Sequence, residues 1–154
     1  MKIEIIEKIK RLPQQTEETL QDVFGVLMDI EERRQVDDYV RWLRAEAMKL
    51  RTGAMLDLIR QTYIYAGQYS FDDFMIAMEW NREPKARFWL PRRKVLEGKH
   101  HIATQIQEFM DDPEALFLGF SQPPGTGKTT LIKFLLAYII GKDPRSANMY
   151  ISYS

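Results

Sequence analysis

Residues 121–130, Ser-Gln-Pro-Pro-Gly-Thr-Gly-Lys-Thr-Thr, bring together the residue types that a polyphosphate needs. Gly125 and Gly127 let the backbone turn tightly, and without a Cβ they leave a phosphate free to approach the amides. Several N–H groups can then converge on one anion, with the positive end of a helix dipole behind them. In this reading Lys128 reaches the β- and γ-phosphate oxygens, the Thr129 hydroxyl ligates Mg²⁺, and Thr130 adds a hydroxyl contact to the α-phosphate. Pro124 and Thr126 complete the binding stretch within residues 122–130. The full pattern G-x-x-x-x-G-K-[ST] begins with glycine, and this chain has Gln122 there, followed by the stiff pair Pro123-Pro124. The bland alternative is a Gly-rich turn between two elements. The pattern favours a P-loop with a nucleoside triphosphate and Mg²⁺ as its ligands.

Such a loop needs a strand before it and a helix after it. Ala115-Leu116-Phe117-Leu118-Gly119-Phe120 is a short apolar run suited to a buried strand. Leu131 to Ile140 is apolar except for Lys133 and suits a buried helix, with Gly141 and then Pro144 as stop signals. Asn148 to Tyr153 reads as a second strand. The expected fold class is therefore α/β: a mostly helical N-terminal region over 1–66, then the strand, P-loop, helix and strand that start a P-loop NTPase parallel sheet over 67–154.

The helical region is read from spacing. Ile3, Ile6, Ile9 and Leu12 fall at helical intervals until Pro13. Thr16 resembles a helix start, with Leu20, Phe24, Leu27 and Met28 on one face behind it. Tyr39, Trp42, Leu43, Ala47 and Leu50 make another run, and Gly53 breaks it before Met55, Leu58, Ile59, Thr62 and Tyr63. These Met, Trp and Tyr stripes read as packing surfaces rather than a cofactor box. Residues 1–40 hold ten acids and six bases, which reads as a solvated acidic face.

Ser70 could cap a helix from Phe71 to about Trp80. A basic lead-in over 81–99 follows. Its core, 81–94, interleaves six basic residues and two prolines with Phe88 and Trp89. Two readings stay open there: a charged linker, or a contact with polyphosphate, adenine or nucleic acid backbone. Val95 to Met110 reads as a helix. Asp111-Asp112-Pro113-Glu114 is acidic, but its proline favours a turn over a metal cluster. His100-His101, without cysteine nearby, read as surface residues. No catalytic triad or internal repeat is evident.

Composition sets outer bounds. The 154-residue chain is 45% hydrophobic and 29% charged, which is ordinary for a globular protein, and its zero net charge gives no global case for nucleic acid or membrane binding. The absence of cysteine excludes disulfides and thiolate metal sites, and fits the cytoplasm. The start MKIEIIEKIKRLP lacks the apolar region of a signal peptide. No apolar stretch approaches the roughly 20 residues of a membrane helix.

Two segments, FDDFMIAMEWNREPKARFWLPRRKVL at 71–96 and LFLGFSQPPGTGKTTLIKFLLAYIIGKDPRSANMYISYS at 116–154, resemble the start of the ATPase domain of phage terminase large subunits. A P-loop opened by two prolines without the first glycine is common in that family, so Gln122 agrees with it. The resemblance implies an ATP-driven motor that packages viral double-stranded DNA in the host cytoplasm. It also implies a homo-oligomer working with a portal and a small terminase subunit, away from any membrane. Gly125, Gly127, Lys128 and Thr129 would bind ATP and Mg²⁺. The FWLPRRKVL stretch sits where such motors have an adenine-contacting motif, so Arg92 or Arg93 would touch the base. The usual glutamine is missing there, and Gln105 or Gln107 could replace it only if turned inward. No resemblance is claimed for residues 1–65.

Such a motor also needs a later strand ending in Asp-Glu, a coupling motif and an acidic two-metal nuclease site. None is present in the sequence, so no catalytic residue is assigned. The two expected strands would also lack their usual sheet neighbours, and exposed strand edges invite aggregation. The expectation is thus a terminase fragment that binds ATP without hydrolysing it. Two alternatives remain: an AAA+ type ATPase fragment, whose common wording PPGTGKTT also is, and a non-catalytic nucleotide-binding remnant. The EWNREP and FWLPRRK stretches favour the terminase reading.

Overall fold

The computed structural model describes residues 2–31, 36–93, 101–119, 121–145 and 147–148. The chain divides into two compact units, Met1–Tyr69 and Ser70–Ser154.

The first unit contains α1 (Lys2–Lys10), α2 (Glu17–Met28), α3 (Asp37–Leu50) and α4 (Gly53–Ala66). A capping box starts α2. The Thr16 hydroxyl oxygen accepts from the Thr19 N–H at 3.3 Å, and Thr19 Oγ1 accepts from the Thr16 N–H at 2.9 Å. Arg51 closes α3 in the left-handed region at φ 54°, and Thr52 caps α4 directly after it. Gly53 is therefore the first residue of α4 rather than a linker. Ile6, Leu20, Leu27, Leu43, Met55 and Tyr65 are buried, while Met28 and Met48 are exposed. The Tyr65 hydroxyl donates to the Leu27 carbonyl at 2.9 Å, satisfying its polar end inside the core. Arg44 donates to the Thr62 hydroxyl at 2.9 Å and lies 3.7 Å from the Tyr63 ring centre. The aromatic stripe of this unit serves helix packing.

The second unit contains α5 (Phe71–Glu79), a 3₁₀ turn at Pro84–Ala86, α6 (Trp89–Arg93), α7 (Ile102–Asp111) and α8 (Lys128–Lys142). α5 packs against α6, α7 and α8. The Ser70 hydroxyl oxygen caps α5 by accepting from the Asp73 N–H at 3.3 Å. Gln107 of α7 accepts the Phe71 N–H at 2.9 Å, which satisfies another first-turn donor. α8 is seated by Tyr138, whose ring lies 5.4 Å from that of Phe71 and 5.1 Å from that of Phe74. Gly141 falls inside the last turn of α8, and Asp143 ends the helix before Pro144.

The α/β expectation is overturned. The described residues contain helices and irregular backbone and no strand, so no P-loop NTPase sheet is formed. The run expected as the first strand is irregular over residues 115–119. The physical reason lies in pairing. A strand exists through the neighbour that takes its N–H and C=O groups, and apolar residues alone cannot supply that ladder. Leu116 and Phe117 are consequently 80% and 92% exposed instead of buried. Phe120 and residues 149–154, most of the second expected strand, lie outside the described residues, and Asn148 is irregular. Among the described residues no helix is long and apolar enough to cross a membrane.

Two measurements check this arrangement. Phe117→Ser is expected to change unfolding free energy in urea by less than about 0.5 kcal/mol, as for an exposed site. A loss of about 3–5 kcal/mol would instead place Phe117 in a packed core. The second concerns Tyr138. Burial first, then the negative charge of Asp111, raises its hydroxyl from 10.0 to about 12, with the Gln107 hydrogen bond acting in the opposite direction. The folded state thus keeps a proton that the unfolded chain releases. This contribution is fully present below pH 10 and falls as pH rises from there towards 12. Tyr138→Phe is expected to lose less stability than wild type across that interval; equal losses would refute the assignment.

Candidate functional site

The glycine-bearing loop is built on a tight turn. The Thr126 N–H donates to the Pro123 carbonyl at 3.4 Å, with Pro124 and Gly125 between them. Gly125 has φ 81°, the value that position i+2 of a type II turn demands, and proline suits position i+1. The Thr126 hydroxyl folds back to the Pro123 carbonyl at 2.8 Å and to Gln122 Oε1 at 3.3 Å. Gly127 follows at φ 88° and is the N-cap of α8. The helical ladder begins with the Leu131 N–H donating to the Gly127 carbonyl at 3.0 Å. The N–H groups of Lys128, Thr129 and Thr130 therefore stand outside that ladder at the positive end of a 15-residue helix. Lys128 and Thr129 are exposed, and Thr130 is half-buried. A cavity of about 430 Å³ lies here, walled by Gln122, Pro123, Pro124, Gly125, Gly127, Lys128 and Thr129.

Phe88 and Arg92 of the basic lead-in are docked on this loop. Phe88 lies so close to Gly127 that a Cβ there would meet its ring at 2.1 Å. The same ring stacks on Phe134 of α8, with centres 6.1 Å apart and planes 21° apart. Arg92 lies over Phe88 at 4.4 Å and donates from Nε to the Thr126 carbonyl at 3.2 Å. Arg93 is engaged elsewhere: its Nε donates to both carboxylate oxygens of Asp72, at 2.9 and 3.0 Å. Asp72 also accepts the Trp89 indole N–H at 2.6 Å. Of the two arginines, the structure brings Arg92 to the loop.

Glu79 holds this segment in place and was not evident as a site residue in the sequence. Its side chain is 1% exposed by residue. Its carboxylate accepts the Phe88 N–H and the Trp89 N–H, each at 2.8 Å, and Arg82 Nη1 at 3.1 Å. It thereby caps α6 with a negative charge where first-turn amides need an acceptor. The available signal was periodicity. Asp72, Met75, Ile76 and Glu79 share one face of α5, so Glu79 continues an apolar stripe inward.

The remaining candidates are placed as follows. Gln107 is occupied by Phe71 and Tyr138, and Gln105 is exposed. The Asp111–Glu114 stretch forms a turn in which Asp112 Oδ1 accepts the Glu114 N–H at 2.9 Å. Among the described residues no group of three or more His, Cys, Asp or Glu could hold a metal. His101 is buried, not on the surface, and meets Trp89 edge-on at 5.2 Å; His100 lies outside the described residues.

The loop's donor set fits a polyphosphate with Mg²⁺. Its glycines adopt conformations that side chains resist, the first amides of α8 have no acceptor within the helix, and the exposed Lys128 and Thr129 border the cavity. Comparisons find no match for this chain among family models, curated proteins or solved structures.

Glu79→Ala is expected to destabilise the chain by about 3 kcal/mol in urea unfolding, because buried N–H groups lose their acceptor. Glu79→Gln, which keeps one oxygen, should cost less; no loss in either variant would deny Glu79 this role.

Proposed function

We propose that residues 122–130 bind a nucleoside triphosphate with Mg²⁺, ATP being the ligand that the sequence resemblance implies. One observation carries this reading. Two glycines at positive φ lead directly into a 15-residue helix whose first two residues, Lys128 and Thr129, border a cavity. Lys128 would neutralise the β- and γ-phosphates, and the Thr129 hydroxyl would hold Mg²⁺. Thr130 would reach the α-phosphate side. Bound Mg²⁺ would screen the phosphate charge.

The wider context follows the terminase resemblance. We infer that this chain serves as a nucleotide-binding part of an ATP-driven motor that packages viral double-stranded DNA. Portal, small subunit, ring formation and a place in the host cytoplasm belong to that proposal. The two resembling segments support it jointly, because Phe88 and Arg92 of the first touch Gly127 and Thr126 of the second. Loss of the expected sheet bears on hydrolysis more than on binding. Anion contacts would come from the loop and the first turn of α8, whereas water activation needs a carboxylate facing the γ-phosphate, and none of the described residues that wall the cavity is one.

Titration of the chain with fluorescent ATP in Mg²⁺ is expected to show saturable binding. Lys128→Ala should weaken it by at least tenfold, the order expected for a lost charge-assisted contact. Phosphate release should stay at the level of the Lys128→Ala control. Unchanged affinity in the variant would refute the site, and Lys128-dependent turnover would refute the non-hydrolysing role.

A further inference from the structure

We propose that Arg92 is a positioning residue for the phosphate loop: it fixes the peptide between Thr126 and Gly127 rather than reading the base. The proposal rests on the loop being a polyphosphate site. Arg92 Nε donates to the Thr126 carbonyl at 3.2 Å. In a trans peptide the carbonyl and the following N–H point in opposite directions, and no cis bond occurs among the described residues. Pinning the Thr126 oxygen towards Arg92 therefore sets the direction of the Gly127 N–H. Gly127 borders the cavity, so the direction of its amide decides whether it can serve as one of the loop's donors.

The guanidinium is itself held on two sides. Nη1 donates to the Phe88 carbonyl at 2.8 Å, and the guanidinium carbon lies 4.4 Å from the Phe88 ring centre. A flat group with several fixed donors suits this double task, and a lysine does not. Phe88 adds a steric stop. Its ring occupies the place of a Cβ at Gly127, so the glycine cannot roll towards it. Behind Phe88, the Glu79 carboxylate takes the N–H groups of Phe88 and Trp89. A buried anion on α5 thus reaches the phosphate loop through one ring and one guanidinium.

The test compares Mg·ATP with Mg·tripolyphosphate, which lacks the base, on the full chain. Arg92→Ala is expected to weaken both by about tenfold, the scale of a hydrogen bond from a charged donor. Arg92→Lys should fall between wild type and Arg92→Ala for both ligands, and it carries the comparison if Arg92→Ala does not fold. In amide ¹H–¹⁵N spectra, saturating tripolyphosphate should shift the Gly127 resonance of wild type, and less so that of the variants. Wild-type affinity for both ligands in the variants would overturn the proposal and leave loop binding standing. A loss for ATP alone would overturn it in favour of a base contact. Failure of the wild-type chain to bind either ligand would remove the loop reading, and this proposal with it.

Discussion

A buried carboxylate has to be matched, and the second unit is arranged around the match made by Glu79. Leaving such a charge unpaired in the interior is too costly to tolerate. Its partners are two backbone N–H groups and one arginine, all from the stretch that follows α5. That stretch is rich in charge and proline and has little tendency to fold by itself. Once its backbone is tied at Phe88 and Trp89, the short α6 has a capped start. Trp89 then enters the core, and Asp72 receives both its indole and Arg93. Phe88 is left facing the other way, against Gly127 and Phe134. The conformation of the glycine loop is therefore supported from outside, by a segment distant in sequence.

α8 shows the complementary constraint. Its residues are apolar on every side, a composition that suits a helix covered all round. In this structure one face is well used: Leu131, Phe134 and Tyr138 are buried, the latter two against aromatic rings of the lead-in and α5. Ile140 is exposed, as are Leu116 and Phe117 before the loop. Hydrophobicity without a backbone ladder does not make a strand, and residues 115–119 illustrate the distinction.

The helices of the first unit and α5 were legible because they announce themselves locally, whereas α6 was not, and α7 begins at Ile102, after a non-helical His101, inside the run read as one helix over 95–110. Thr16, Ser70 and Pro13 act through neighbours within four residues, and the apolar spacing of α2 to α4 follows a fixed period. The tight turn at the loop was legible for a similar reason, since Gly125 and Gly127, both at positive φ, lie two positions apart. What could not be read locally was wrong or missing. The run 115–120 has strand composition, but pairing depends on a second strand, which composition at one place cannot reveal. His101 looked exposed because its partner Trp89 lies twelve positions earlier in the chain. Glu79 carries no local sign of its role, which only its three donors reveal. Arg92 and Arg93 are neighbours in sequence with different duties, decided by Thr126 and Asp72.

The proposed separation of binding from hydrolysis rests on where each would obtain its groups. Anion binding draws on amides that a helix start leaves without internal partners, on glycines that permit the approach, and on a lysine at the first helical position. All of these are local to residues 125–130, and the lead-in holds them in place. Hydrolysis needs a carboxylate placed across from the γ-phosphate by an independent element. A sheet normally carries that element, because parallel strands bring remote segments to one edge. The described residues form no sheet. In the proposed reading a nucleotide would take its contacts from this loop and the start of α8, both braced by Phe88 and Arg92, and no carboxylate is among the described residues that wall the cavity.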